Sequence, residues 1–196
     1  MTNAQLDVKM NLPETYRVFR RTTGKPRLTI VPSTERLPRE LGQTDVLIKI
    51  NAVSLNFRDI AVLDGRYPAP ALEGGIVASD AAAEVAAVGS AVKDFAIGDR
   101  VSVIFNLVGL TGSEDEPYQR MLSSEVDGVL RENAIYEDKY LVHLPEHLSW
   151  EEVSHNIPQT AHHEGDSADM GYPSGIYHHL RRRYGLECSR RPPVGL

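Results

Sequence analysis

The sequence predicts a mainly β fold, a partly open barrel with short helices. Many short stretches alternate apolar and polar residues, and turn residues separate them at regular intervals. Hydrophobic residues make up 41% of the chain, enough to bury a core. A barrel suits such a pattern because closure leaves few sheet edges exposed.

The elements follow in chain order. Tyr16 to Phe19 and Leu28 to Val31 flank Thr23-Gly24-Lys25-Pro26, a hairpin signal. Asp45 to Val53 reads as a strand, with alternation at Ile48, Ile50 and Ala52. Asn56 to Leu63 reads as a short amphipathic helix ended by Gly65. Glu84 to Val88 and Arg100 to Phe105 are two further strands, joined through Gly89 and the turn Ile97-Gly98-Asp99. Val129 to Tyr136 and Tyr140 to Leu144 read as a late pair that turns at Glu137-Asp138. Ser149 and Glu152 have the spacing of a capping box, and Pro158 should stop the helix they open within about two turns. Segment 106 to 128 reads as a long acidic loop.

Charge and cysteine usage narrow the function classes. The net charge of -6 argues against a nucleic-acid binder, which needs a basic face. No apolar run approaches the length that spans a bilayer, and no secretory signal pattern opens the chain. The single Cys188 can make neither an intrachain disulfide nor a cysteine zinc cluster. These readings point to a cytoplasmic protein with no membrane or nucleic-acid partner.

Three stretches resemble the N-terminal, GroES-like domain of the medium-chain dehydrogenases/reductases, the alcohol dehydrogenase and quinone oxidoreductase superfamily. They are residues 46 to 68 (VLIKINAVSLNFRDIAVLDGRYP), 79 to 101 (SDAAAEVAAVGSAVKDFAIGDRV) and 128 to 154 (GVLRENAIYEDKYLVHLPEHLSWEEVS). The resemblance divides the chain into an extension (1–14), a GroES-like domain (15–154) and a tail outside the family pattern (155–196). It also implies chemistry. The parent enzymes move a hydride between NAD(P) and a carbonyl, quinone or enoyl substrate. Zinc-dependent members ligate the metal with Cys, a His-Glu pair and a further Cys. Here Asn56 stands at the first position and Ser79-Asp80 at the pair. Amide and hydroxyl groups are poor zinc ligands, so no zinc is expected.

Asn56-Phe57-Arg58-Asp59 resembles the zinc-free, quinone-oxidoreductase-like branch. That likeness makes Asn56 and Asp59 the candidate catalytic residues. Asn56 would also face the nicotinamide, while Tyr67, Ser79 and Asp80 would line the substrate pocket. Positions 56 and 59 lie on one side of a helical turn and can address one cleft. The plainer alternative is that Asn56 simply caps the helix, and that Tyr67 is a packed surface tyrosine. Gly89 and Gly98-Asp99 read as turn builders rather than chemistry.

No G-x-G-x-x-G pattern occurs among the 196 residues. The expectation is that this chain holds no dinucleotide tightly and turns over little alone, as the substrate-side domain of a truncated oxidoreductase. The alternative is a non-enzymatic GroES-like binding module, with oligomerisation or aggregation through an uncovered face. Residues 155 to 196 change character abruptly, as a frameshift or a retained intron would produce. His162-His163-Glu164 and His178-His179 lie there, and adjacent histidines lack the spacing that converges on one ion. An unstructured tail is the expectation.

Overall fold

A computed structural model describes residues 14–108 and 120–156 of the chain. Strands dominate, as expected. β1 (Thr15–Arg21) and β2 (Ile30–Arg36) form a two-stranded antiparallel sheet. β3 (Asp45–Ser54), β4 (Asp80–Val88), β5 (Arg100–Val103), β6 (Asn133–Glu137) and β7 (Leu141–His143) form a five-stranded sheet in the order β6-β3-β4-β5-β7. The larger sheet curls into a half-barrel. Two short helices accompany it, α1 (Phe57–Leu63) and α2 (Trp150–Asn156).

The half-barrel core is aliphatic. Val46 and Ile48 on β3, Ala83 and Val85 on β4, and Val101 and Val103 on β5 belong to one buried cluster. Burying each Val or Ile contributes about 1.5–3 kcal/mol. The β3–β4 register shifts between Leu47 and Ile48, and again between Ile50 and Ala52. Such bulges bend a strand and deepen its twist, which curls the sheet.

Three expectations are corrected. The second hairpin strand lies further along, at Ile30–Arg36, and Pro32 sits opposite Phe19 within it. Among the described residues β2 has β1 as its sole strand partner, and an edge strand tolerates a residue with no N–H. β4 begins four residues earlier than expected, at Asp80. Its run Ala81-Ala82-Ala83 has weak strand propensity, and its pairing with β3 overrides that weakness. The expected late pair does not form. β6 pairs with β3 and β7 pairs with β5, so the two lie at opposite margins of the sheet. A short 3-10 turn over Asp138–Tyr140 connects them instead of a hairpin.

The segment expected to start the late pair takes a different role. The N–H groups of Gly128, Val129 and Leu130 donate to Ile76 O, Ala78 O and Val77 O, each at 2.9 Å. A Cβ on Gly128 would fall 2.2 Å from Ala78 O and 2.5 Å from Val77 O, so only glycine permits this approach. β1 joins the same seam: Phe19 N–H donates to Leu130 O and Val77 N–H to Phe19 O. This seam places Ala78, and hence Ser79 and Asp80, at the entrance to β4.

The expected capping box at α2 forms. Glu152 N–H donates to Ser149 Oγ at 3.2 Å, and Ser149 N–H donates to Glu152 Oε2 at 2.9 Å. α2 is seven residues long, Trp150–Asn156. The described ends of the 106–128 segment meet: Leu107 N–H donates to Arg120 O, and Asn106 bridges Met121. The rest of that loop, the first thirteen residues and the histidine-bearing tail lie outside the described residues.

Candidate functional site

The site forms where the β3–α1 connection meets the start of β4. Asn56 precedes α1 with extended backbone (φ -135°, ψ 177°) and caps it. Its Oδ1 accepts from Arg58 N–H at 2.9 Å. Its Nδ2 donates to Asp80 Oδ2 at 2.7 Å. The same amide therefore starts the helix and reaches the first residue of β4. Asp59 completes a capping box, with Oδ2 accepting from Asn56 N–H at 2.9 Å. Ser79 Oγ donates to Asp80 Oδ2 at 3.1 Å. Four of the five expected site residues are thus linked by hydrogen bonds.

The fifth is reached indirectly. Tyr67 lies just beyond α1, its N–H donating to Ala61 O at 3.1 Å. Its ring packs against Arg58, whose Cζ sits 4.7 Å from the ring centroid. Arg58 is the neighbour that sequence reasoning gave no role. It is 5% exposed and lies between the Tyr67 ring and the Phe105 ring, at 4.7 Å and 4.8 Å. A signal was present: Arg58, Ala61 and Val62 are spaced as one helical face, and that face is buried. Phe57 and Ile60, apolar residues of the same helix, are 65% and 55% exposed. The helix is amphipathic as expected, with part of its polarity turned inward.

Backbone conformation aims the acidic end. Ala78 has φ 66°, the left-handed region that an L-residue enters at a cost of about 1–2 kcal/mol. The hydrogen bonds from Val129 and Leu130 to Ala78 O and Val77 O hold it there. Ser79 and Asp80 follow directly, 1% and 7% exposed.

Burial pushes the Asp59 carboxyl above its ordinary value; the Asn56 backbone N–H, the Arg58 charge, the Ala78 backbone and Arg21 oppose that rise. Burial lowers the Arg21 guanidinium, and the like charge of Arg58 lowers it further. Arg21 is nonetheless well partnered, donating to Ser123 O and Leu72 O at 2.8 Å each.

The donor set does not fit zinc. Asn56 offers a neutral amide that bonds Arg58 N–H and Asp80, and Ser79 offers a neutral hydroxyl bonded to the same carboxylate; neither is a good zinc ligand. Among the described residues, no three His, Cys, Asp or Glu side chains cluster as metal ligands.

Residues 42–146 match the model of the alcohol dehydrogenase GroES-like domain. The chain belongs to that family. The match fits the half-barrel and embraces Asn56, Asp59, Tyr67, Ser79 and Asp80. A zinc-type alcohol dehydrogenase-like protein of Schizosaccharomyces pombe is 34% identical over 124 residues, 63% of this chain and 36% of that protein. A quinone oxidoreductase of Pseudomonas aeruginosa is 33% identical over 117 residues, 60% of this chain and 30% of that protein. A solved NAD-dependent alcohol dehydrogenase aligns with a TM-score of 0.58 and 28% identity, covering 73% of this chain and 43% of that chain. The GroES-like chain therefore spans about a third of the length of these curated relatives. Its homology is to medium-chain oxidoreductases of the alcohol dehydrogenase and quinone oxidoreductase kinds. No helix among the described residues is long and apolar enough to cross a membrane.

Proposed function

We propose that this chain is the substrate-side domain of an NAD(P)-dependent oxidoreductase of the zinc-free, quinone-oxidoreductase-like type, spanning residues 15–154. The observation that carries the reading is the Asn56–Asp80–Ser79 hydrogen-bond cluster. It occupies the place of a metal site with groups suited to hydrogen bonding instead. The names of the relatives, a quinone oxidoreductase among them, support the same class.

In this reading the bound nicotinamide supplies or accepts the hydride. Asn56 turns the free edge of its amide toward a substrate carbonyl or the cofactor carboxamide. Asp80 and Ser79 hold that amide in orientation, and Asp59 fixes the backbone from which it projects. Tyr67 lines the mouth of the pocket. The substrate is a small carbonyl, quinone or enoyl compound. The 196 residues contain no glycine-rich dinucleotide turn, so tight NAD(P) binding and turnover are not expected of them unaided. A cytoplasmic, reducing setting suits the lone Cys188.

One observation favours a second reading, a non-enzymatic binding module. Leu55, Phe57 and Ile60 are 60%, 65% and 55% exposed beside the site. Such a surface invites a partner or a second copy.

Calorimetric titration of the full chain with a benzoquinone probe and with NADPH tests the proposal. Quinone binding that falls about tenfold in both N56A and S79A, with weak NADPH uptake, is the expected result. Equal quinone affinity in folded wild type and both variants would remove the site. Rapid NADPH oxidation by the chain alone would refute the need for a further cofactor-binding part.

A further inference from the structure

Arg58 poses a physical problem. It is 5% exposed, and its Nε, Nη1 and Nη2 atoms are all buried without a hydrogen-bond partner among the described residues. An unpaired buried charge is costly, and this one has three further disadvantages or constraints. It lies in the first turn of α1, where the helix dipole disfavours a cation. Arg21, a second buried guanidinium, repels it. Asp59, the adjacent carboxylate, is turned to the Asn56 backbone and makes no ion pair with it.

Beside a through-space attraction to Asp59, the contacts of the guanidinium among the described residues are two rings. The guanidinium lies 4.7 Å from the Tyr67 centroid and 4.8 Å from the Phe105 centroid, within the reach of cation–π attraction. That attraction strengthens when water is excluded, as it is here. The dependence runs both ways. If Tyr67 swings outward, the cation loses one of its two described faces and gains no acceptor, so the ring is held where it is. Phe105 is held by the same cation.

We propose that Arg58 is a positioning residue that fixes the Tyr67 ring at the mouth of the candidate pocket through a buried cation sandwich. The substrate-facing role of Tyr67 rests on the function proposed above; the clamp itself does not. Arg58 would thereby set the width of the opening and the shape of substrate admitted, without touching the substrate.

The test uses the full chain labelled with 3-fluorotyrosine, the Tyr67 fluorine signal being assigned by its loss in Y67F. R58M keeps reach and removes charge; R58K restores charge. Backbone amide spectra of β3 and β4 report that each variant is folded. The expected result is a Tyr67 signal displaced toward the free-tyrosine position in R58M and close to wild type in R58K. A Tyr67 signal unchanged in folded R58M would overturn the proposal. If R58M fails to fold, R58K decides: a displaced Tyr67 signal there overturns it, and a retained one supports it. Quinone titration of the same samples separates the two proposals, since the fluorine signal reads the clamp even in a chain that binds no quinone.

Discussion

Asn56 Nδ2 donates to Asp80 Oδ2 at 2.7 Å, joining the residue before α1 to the first residue of β4. The two are 24 positions apart, so one amide spans the turn that brings the helix and the strand together.

The first prediction concerns that amide. N56A removes the cap and the Asp80 contact together. A lost cap costs about 1 kcal/mol, and losing one hydrogen bond to a carboxylate that Ser79 still serves costs about 0.5–1.5 kcal/mol. Urea unfolding should show a loss of about 1.5–2.5 kcal/mol. N56D keeps the cap but sets a carboxylate against Asp80, and should lose stability as pH rises. A loss below about 0.5 kcal/mol in N56A would mean that the contact carries no weight in solution.

Asp59 gives a pH dependence with a definite sign. Its carboxyl is raised from 3.8 by burial, so the folded state holds the proton more tightly than the unfolded state. Its contribution is therefore full below 3.8 and is lost as pH climbs through the folded value. D59N has no such titration. The stability difference between D59N and wild type should shift in favour of D59N as pH rises from 3.8 toward neutrality, measured by denaturant unfolding across that interval. A difference that shifts the other way would reverse the assignment.

Two glycines separate close approach from backbone conformation. A Cβ at Gly128 meets Ala78 O at 2.2 Å, whereas one at Gly98 (φ 93°) meets nothing within 4 Å. G128A should cost about 3 kcal/mol or more and disturb Ser79 and Asp80, because the seam must open. G98A should cost about 1–2 kcal/mol from conformation alone. Thermal melts of both variants check the order.

The outward apolar face predicts behaviour at high concentration. Leu55, Phe57 and Ile60 are exposed while Arg58 and Asp59 of the same turn are buried. F57S/I60K should reduce self-association in sedimentation velocity and weaken binding of a hydrophobic dye, with little change in fold. Unaltered association would place the contact elsewhere.

Much of the fold could be read from period and turn residues. β3 follows its alternation, α1 its spacing, and α2 its capping box. What could not be read was partnership. The alternation of Val129 to Tyr136 says that the stretch is extended, but not that its first residues bond to Ile76–Ala78 while its last pair with β3. Nor does a turn at Glu137-Asp138 reveal that the strands on either side of it pair at opposite margins of the sheet. The alanine run opening β4 carries almost no local signal, since its extension comes from its neighbour. At the site, the resemblance picked out Asn56, Ser79 and Asp80, which do meet. Arg58 escaped because a charged residue on a short helix normally faces water, and only the tertiary structure shows the rings that cover it.

The order of strands governs what any shortened version of this polypeptide could be. Both margins of the five-stranded sheet are supplied by residues 133–143, one on each side. A chain ending before Asn133 would bare the outward backbone of β3 and of β5 at once, leaving two open ladders ready to pair with other molecules. Such products should precipitate rather than persist as smaller barrels, and a ribosome must release the β7 segment before the half-barrel can close on either flank.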